Sequence, residues 1–395
     1  MASGALAMSL VVAVGLAAVS FNLARVNQVC TQMRLACEAA ALAGAVELLD
    51  EGVLYGLPDQ QGDIMAARAE AQHIAAQHVI DGKPLVLDLN TNNVPNGDIV
   101  VGLVADPMVL TAPFMPQAAK ETCNAIVVQA TRLSSERNGL PLWFGAAMGV
   151  PDADLVCQAR ASLDYRVVGF RPRAGGSIPV MPILVEQEGW NDQRKGSITP
   201  WNDRFAVNHH NGKLSAAPDG LVEIELRIPL GSTGSAGNSA ADANGNSGNT
   251  PRGARAALMP IGGNDVNLST FQRQCLFGLS TAELQPCGGE LSTTTDGTLD
   301  LPAVEAADAS WTEALWQMRG QKRVWPLCVA GDASRGRWTM IDFAAGIVVD
   351  AYIDEQAKPQ QLVICVEPTV MATSTALCRP GIPPNPWIAK LLLSP

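Results

Sequence analysis

Residues that carry chemistry are scarce in this chain. Four histidines serve 395 residues, and no two cysteines stand as CxxC. Tetrahedral zinc sites gather Cys and His at short spacing, so no metal site is expected. No GxxxxGKS or GxxxxGKT run offers a phosphate-binding loop. The GxSxG nucleophile elbow is also missing, because Gly231-Ser232-Thr233-Gly234-Ser235 has the wrong spacing. Asp242, Asn244 and Asn246 imitate the start of a calcium loop, which then fails at Ser247 and Gly253, where Gly and Glu belong. Positive charge is scarce too. Lys and Arg number 27 against 38 Asp and Glu, net -11, with no basic run. Nucleic acid, whose binding displaces counterions with clustered Lys and Arg, is therefore not an expected partner. The same acidity disfavours flat docking of the body onto anionic lipid, so membrane contact is expected through an anchor alone.

Charge is absent altogether from Ala2 to Leu23, and the first proline is Pro58. At ~1.5 Å per helical residue, such a run matches the ~30 Å hydrocarbon core of a bilayer. It reads as a membrane-spanning helix. The competing reading, a cleaved signal peptide, combines a basic start, a shorter apolar core and a small-residue cleavage site. This run has no basic start, and Arg25 to Leu49 continues in good or neutral helix formers apart from Gly44. One nearly continuous helix is expected from Ala5 to about Asp50, on the order of 70 Å long. Leu35, Leu42 and Leu49 recur along it at heptad spacing. Ala36, Ala40 and Gly44 fall at i, i+4 and i+8, a helix-packing row of small side chains that lets another helix approach closely. Cys30 and Cys37, seven apart, share one face as small packing residues or as an interchain bridge.

Further on, Gly56, Pro58 and Gly62 break the helix, and a second one is expected from about Asp63 to Ile80, ended by Asp81-Gly82. His73 and His78 on it are five apart, which does not align them as metal ligands. After Pro84 the texture changes to short runs bounded by Asn, Asp, Gly and Pro, which predicts strands and turns. Strands are expected at Leu85 to Leu89, Asp98 to Val104, Asn124 to Arg132 and Asp154 to Val168, with a short apolar helix at Leu140 to Met148. Leu221 to Leu230 alternates Val222, Ile224, Leu226 and Ile228 with Glu223, Glu225 and Arg227, the pattern of a half-buried strand. Residues 231–252, rich in Gly, Ser and Asn, read as a flexible loop or linker. Beyond it, Leu268 to Leu279 and Ala307 to Met318 read as helices, and Val324 to Val329, Trp338 to Val349 and Gln361 to Val366 as strands of a C-terminal sheet. Trp311 and Trp316, five apart in one helix, cannot both face the same core.

An apolar N-terminal segment running straight into Glu38-Ala39-Ala40-Ala41-Leu42-Ala43-Gly44-Ala45 resembles TadG-like proteins of the tight-adherence (Flp) pilus machinery. That family has aspartate where this chain has Glu38. The resemblance continues through Asn124-Ala125-Ile126-Val127-Val128, Leu142-Trp143-Phe144-Gly145, Ala159-Arg160-Ala161, Val168-Gly169-Phe170-Arg171-Pro172 and Ile178-Pro179-Val180-Met181-Pro182-Ile183 to Trp190. In long members of the family the order goes on with Gly288-Gly289-Glu290-Leu291, Asp296-Gly297-Thr298-Leu299, Lys322-Arg323-Val324-Trp325-Pro326-Leu327 and Met340-Ile341-Asp342-Phe343. Each motif is short, and the strength of the resemblance lies in their order.

The expected fold class is α+β: a long N-terminal transmembrane helix and a second helix, followed by a mixed antiparallel-sheet and helix body. The expected organisation is an anchor at 1–24, a helical stalk at 25–82, an α+β domain at 83–230, the linker, a second α+β region at 253–379 and a tail at 380–395. The resemblance implies a structural or accessory part in pilus assembly, with other pilus-assembly or envelope proteins as partners, no catalysis and no cofactor. It places the chain in the bacterial inner membrane as a single-pass protein with its body in the periplasm or outside the cell. Arg25 and Arg34, which follow the apolar run, argue locally for the opposite orientation. Two other classes stay open. A hydrolase would need His209 or His210 to meet a Ser, Cys or carboxylate, with Asp203 and Asp219 nearby. An adhesin would carry an exposed aromatic patch away from the stalk. Cys275 and Cys287 are the candidate disulfide, since Pro286 and Gly288-Gly289 allow the chain to fold back between them.

Overall fold

The computed structural model describes residues 2–56, 60–116, 123–208, 212–231, 253–261, 267–329 and 336–394. They form two compact units. The first comprises Met1–Asp50, Asp59–Asp164 and Leu391–Pro395, and the second Glu51–Pro58 and Tyr165–Lys390. The division at Asp164 falls inside the segment 83–230 that the sequence pattern groups as one domain. The expected linker at 231–252 lies almost wholly outside the described residues, as do the imitation calcium ligands on it.

Helix α1 (Ala2–Val46) runs 45 residues without a break, since no proline interrupts its hydrogen-bond ladder. Helix α2 (Gln60–Gln77) follows. It ends earlier than Ile80 because Asp81 and Gly82, at φ 51° and 81°, make the turn of a two-residue hairpin that pairs Val79–Ile80 with Lys83–Pro84. The sheet of the first unit contains four strands, β1 (Ile99–Val104), β2 (Phe114–Pro116), β3 (Ala125–Arg132) and β4 (Leu155–Asp164), and residues 391–394 of the strand Ile388–Ser394 lie beside β4. The four pair antiparallel in the order β4-β3-β1-β2, with Ile126 opposite Ala161 and Ile99 opposite Val128.

Residues 85–89 form no strand, contrary to expectation. Side chains of the following loop take up the pairing instead: Asn93 donates Nδ2 to Val101 O (2.7 Å) and accepts from Val101 N (2.9 Å), and Asn90 Nδ2 donates to Ile99 O (2.9 Å). Arg68 of α2 is buried beneath this loop, donating to Thr91 O (3.0 Å) and Asn93 Oδ1 (2.9 Å). Those bonds offset part of what burial costs the guanidinium.

From Val29 onward α1 has one buried stripe, Val29, Met33, Ala36, Cys37, Ala40, Ala41 and Ala45, at the three- and four-residue steps of a helix packed on one side. The heptad leucines are not on it; Leu35 is exposed. On α2, Ala67, Ala71 and Ala75 form a second small row, also fully buried. The rows meet at Gly44, where a Cβ would lie 2.8 Å from both Ala67 O and Ile126 Cδ1 and 3.1 Å from Ala71 Cβ. Gly44→Val should therefore destabilise the first unit by about 1–3 kcal/mol, the usual cost of overpacking a closed core. Urea unfolding of the detergent-extracted chain, followed by far-ultraviolet circular dichroism, measures it.

In the second unit the main sheet contains β5 (Ile183–Glu186), β6 (Ile224–Pro229), β7 (Ala254–Leu258), β8 (Leu299–Pro302), β9 (Lys322–Val329), β10 (Arg337–Asp354) and β11 (Gln361–Thr369). Their order is β8-β10-β9-β5-β7-β6-β11, and β11 pairs back onto β10. Six strands thus close into a barrel with β8 outside it. Two of its pairings are parallel, β5 with β9 (Val185 opposite Leu327) and β6 with β7 (Leu226 opposite Ala254), so the expectation of antiparallel pairing is corrected here. The alternation read in β6 holds: Ile224, Leu226 and Ile228 are fully buried and stand opposite Val366, Ile364 and Leu362. On the other face of β11, Val363 and Cys365 pack with Val207, Ile347 and Val349 beneath Phe205, Leu214 and Tyr352.

Helices Leu268–Phe277 and Trp311–Gln317 lie where the sequence predicts. Asn267 caps the first by accepting from Thr270 N at 2.9 Å. Trp311 is buried and stacks on Phe271, whereas Trp316 is exposed with its indole donating to Ala351 O.

Candidate functional site

Among the described side chains of α1 from Met8 to Phe21, none is buried. Met8, Leu10, Val12, Val14, Leu16, Val19, Phe21 and Leu23 are each at least half exposed, and the six consecutive residues 12–17 are all exposed, so exposure runs around the whole circumference of the helix. Ser20 returns its hydroxyl to Leu16 O at 2.9 Å, which keeps this polar group satisfied within the helix. Among the described residues, α1 is the one helix long and apolar enough to cross a membrane.

The change from exposed to packed helix takes place between Phe21 and Val29, where two other segments close around α1. One is the loop 139–151. Its Phe144 ring lies 6.5 Å from Phe21, its Phe144 N–H donates to Asn22 Oδ1 (3.3 Å), and Arg25 sits 5.0 Å over the ring of Trp143. The other is the hairpin turn after α2. Asp81 pairs with Arg25 at 3.2 Å and with Arg132 at 3.5 Å, and its N–H donates to Gln32 Oε1 (3.2 Å). Arg34 pairs with Glu38 one turn on, at 2.7 Å. Both cations that follow the apolar run are therefore in ion pairs. Sequence reasoning missed this junction, although a signal existed: residues 139–151 hold no charged or hydrogen-bonding side chain except the indole of Trp143. The short helix expected there is a strand pair, Leu140–Pro141 with Asp152–Ala153, tipped by a 3-10 turn at Ala146–Met148.

Ala36, Ala40 and Gly44 all lie on the packed half, and the packing they make is within the first unit. Cys37 is buried there as well, which removes it from any interchain bridge. Cys157 of β4 joins the two helix cysteines: its thiol lies 3.7 Å from Cys30 O, and the Cys37 thiol 3.7 Å from Cys157 O.

Cys275 and Cys287 are not bridged. Cys275 faces the core from helix Leu268–Phe277, whereas Cys287 sits in a 3-10 turn lining a separate cleft, so the backbone between them does not bring the sulfurs together. That cleft, of about 530 Å³, also takes Glu290, Asp300 and Arg337 into its wall. Arg337 donates to Asp300 O (2.8 Å), Thr339 donates to Asp300 Oδ1 (2.7 Å), and Glu290 is paired with Arg171. Burial pushes Glu290 upward, but its bonds from Arg171 and Ser292 outweigh that and hold it below the usual carboxylate range. No described histidine lines the cleft.

The remaining candidates divide in the same way. His209 and His210 lie outside the described residues. Asp203 is buried and accepts from the backbone N–H groups of Asp219 and Gly220 at 2.9 and 3.0 Å, which fixes a turn. Among the described residues, no group of three or more His, Cys, Asp or Glu is arranged to hold a metal ion.

No protein-family model, no curated protein and no solved structure matches this chain.

Burial pushes the thiols of Cys328 and Cys365 up to about 12 and that of Cys275 higher still. At pH 8 all three stay protonated and shielded, so iodoacetamide should leave them unmodified in the folded protein and alkylate them only after denaturation. Peptide mass spectrometry of the two samples, without reductant, reads this directly. A covalently joined Cys275–Cys287 peptide pair would contradict it.

Proposed function

We propose that this chain is a membrane-anchored structural or accessory component of tight-adherence (Flp-type) pilus assembly, acting through protein contacts and without catalysis. The observation that carries the anchoring is the division of α1. From Met8 to Phe21 its described side chains are uncharged and none is buried, and its second half is built into the first unit, so the two halves suit different solvents. A cleaved signal peptide would not share an unbroken helix with the core of the mature protein. The pilus assignment rests on the ordered resemblance to TadG-like proteins, and the stretch Glu38 to Ala45 that carries part of it lies on the packed half of α1. The partners are then other pilus-assembly or envelope proteins, and the inner membrane is reached through α1.

The body is proposed to lie in the periplasm or outside the cell. An acidic body without a basic run agrees with this. Trp201→Cys and Val86→Cys, at side chains 82% exposed in the second and first units, provide reporters. A membrane-impermeant maleimide should label both on intact spheroplasts. Labelling that waits for membrane lysis would put the body in the cytoplasm and end the pilus reading. With an external body, cross-linking of the membrane-extracted full chain should recover other components of the pilus assembly, and cells lacking the chain should lose surface filaments. Filaments unchanged in its absence would refute the assignment.

A further inference from the structure

We propose that the loop 139–151 is a second membrane contact, inserted into the interfacial layer of the bilayer that α1 spans. This rests on the anchoring of α1 and goes beyond it, since membrane contact was expected from the helix alone.

The loop is built for an apolar surrounding. Trp143, Phe144, Met148 and Val150 are 64%, 43%, 42% and 54% exposed, on a segment whose only side-chain hydrogen-bonding group is an indole. Exposed apolar side chains in one contiguous stretch mark an interaction surface. The backbone of the same stretch makes its own bonds. Leu142 N–H donates to Pro151 O, Gly145 N–H to Leu142 O, Met148 N–H to Gly145 O and Val150 N–H to Gly145 O, at 2.9–3.1 Å. A segment entering a layer poor in water must satisfy its peptide groups within the protein, and these bonds together with Phe144 N–H to Asn22 Oδ1 do so for several of them. Gly145 makes the fold of the tip possible: it is buried, and a Cβ there would lie 2.2 Å from Val150 O.

Position decides the occupant. The loop touches α1 at Phe21, Asn22 and Arg25, where the uncharged run ends. Counting back from Phe21 to Ala2 at ~1.5 Å per residue covers about 29 Å, the thickness of the hydrocarbon core. The loop is thereby held at the level of the headgroup and acyl boundary. Trp is enriched at that depth, where its ring meets acyl chain and its N–H meets water, and Arg25 beneath the Trp143 face marks the polar side of the boundary. The apolar surface of the helix and that of the loop are continuous, so one solvent covers both.

The full chain and its Trp143→Phe variant are reconstituted into phosphatidylcholine vesicles carrying bromine at shallow or deep acyl positions, and their emission is compared. The difference between the two proteins reports Trp143 alone. Shallow bromines should remove most of that difference signal, deep bromines less of it, and aqueous iodide little. Strong iodide quenching with no bromine effect would place Trp143 in water and overturn the proposal. Quenching by neither would overturn it too, in favour of a second copy or a protein partner over the loop. Alkaline carbonate extraction of the same vesicles separates the two readings: a chain that stays in the membrane while Trp143 is not quenched by bromine loses only the loop contact, and a chain that is extracted loses the anchor.

Discussion

The missing side chain at Gly44 is the constraint on which the first unit depends. It allows α1 to approach Ala67 and Ala71 of α2 and Ile126 of β3 at one point, closer than any residue with a Cβ would permit. The alanines that flank it on both helices extend this close approach for about two turns. Short side chains lose little conformational entropy on burial, so the interface is built at low cost from residues that favour helix intrinsically. Leucines at the same positions would hold the helices further apart and lift α1 off β3 and β4. A helix whose N-terminal half is not buried needs this kind of seat, because its attachment has to come from the other half of its length.

The second unit solves a different problem. A mixed sheet of seven strands has two edges that invite pairing with other chains, and here one edge is removed by closure of β11 onto β10. The length of β10, 18 residues, makes that possible. Its Met340 pairs with Leu299 of β8 on one side and Cys328 of β9 on the other, and from Ala345 onward β11 replaces β8. The one carboxylate carried inward at the end of β6, Glu223, is met by the backbone N–H groups of Arg204 and Phe205 at 2.6 and 2.7 Å and by the Arg204 guanidinium at 3.3 Å. Three donors offset only part of the desolvation, so burial still holds this carboxyl above its usual range.

Local pattern carried much of this. The unbroken helix, the alternation in β6 and the strands β3, β9, β10 and β11 were all legible, since each depends on periodicity or on the absence of proline within a short window. The barrel was not legible. Its closure depends on Val185 meeting Leu327 and Leu226 meeting Ile364, pairings between residues far apart in the chain that no local window contains. The strand expected at residues 85–89 failed for another reason, because Asn90 and Asn93 adopt left-handed backbone and use their amides where a neighbouring strand would have bonded. At the candidate site, the apolar run and the small-residue row could be read, whereas the contacts of Trp143 and Phe144 with α1 bring together segments more than a hundred residues apart.

Those contacts share one level on α1 with a charge cluster, and its composition follows from where it sits. Arg25 is the first charge after the uncharged run, with a side chain only 14% exposed. An isolated guanidinium so placed would pay for lost hydration without return. Asp81 supplies the opposite charge, and it is held in place from three directions: by Arg25, by Arg132 at the end of β3, and by Gln32 further along α1. Trp143 covers the guanidinium from its remaining side. The end of α2, the end of β3 and the loop 139–151 are thus drawn to the same short stretch of α1, between Phe21 and Gln32. The helix passes there from exposure on all sides to a packed stripe on one, and the charges that mark the passage are neutralised where they stand.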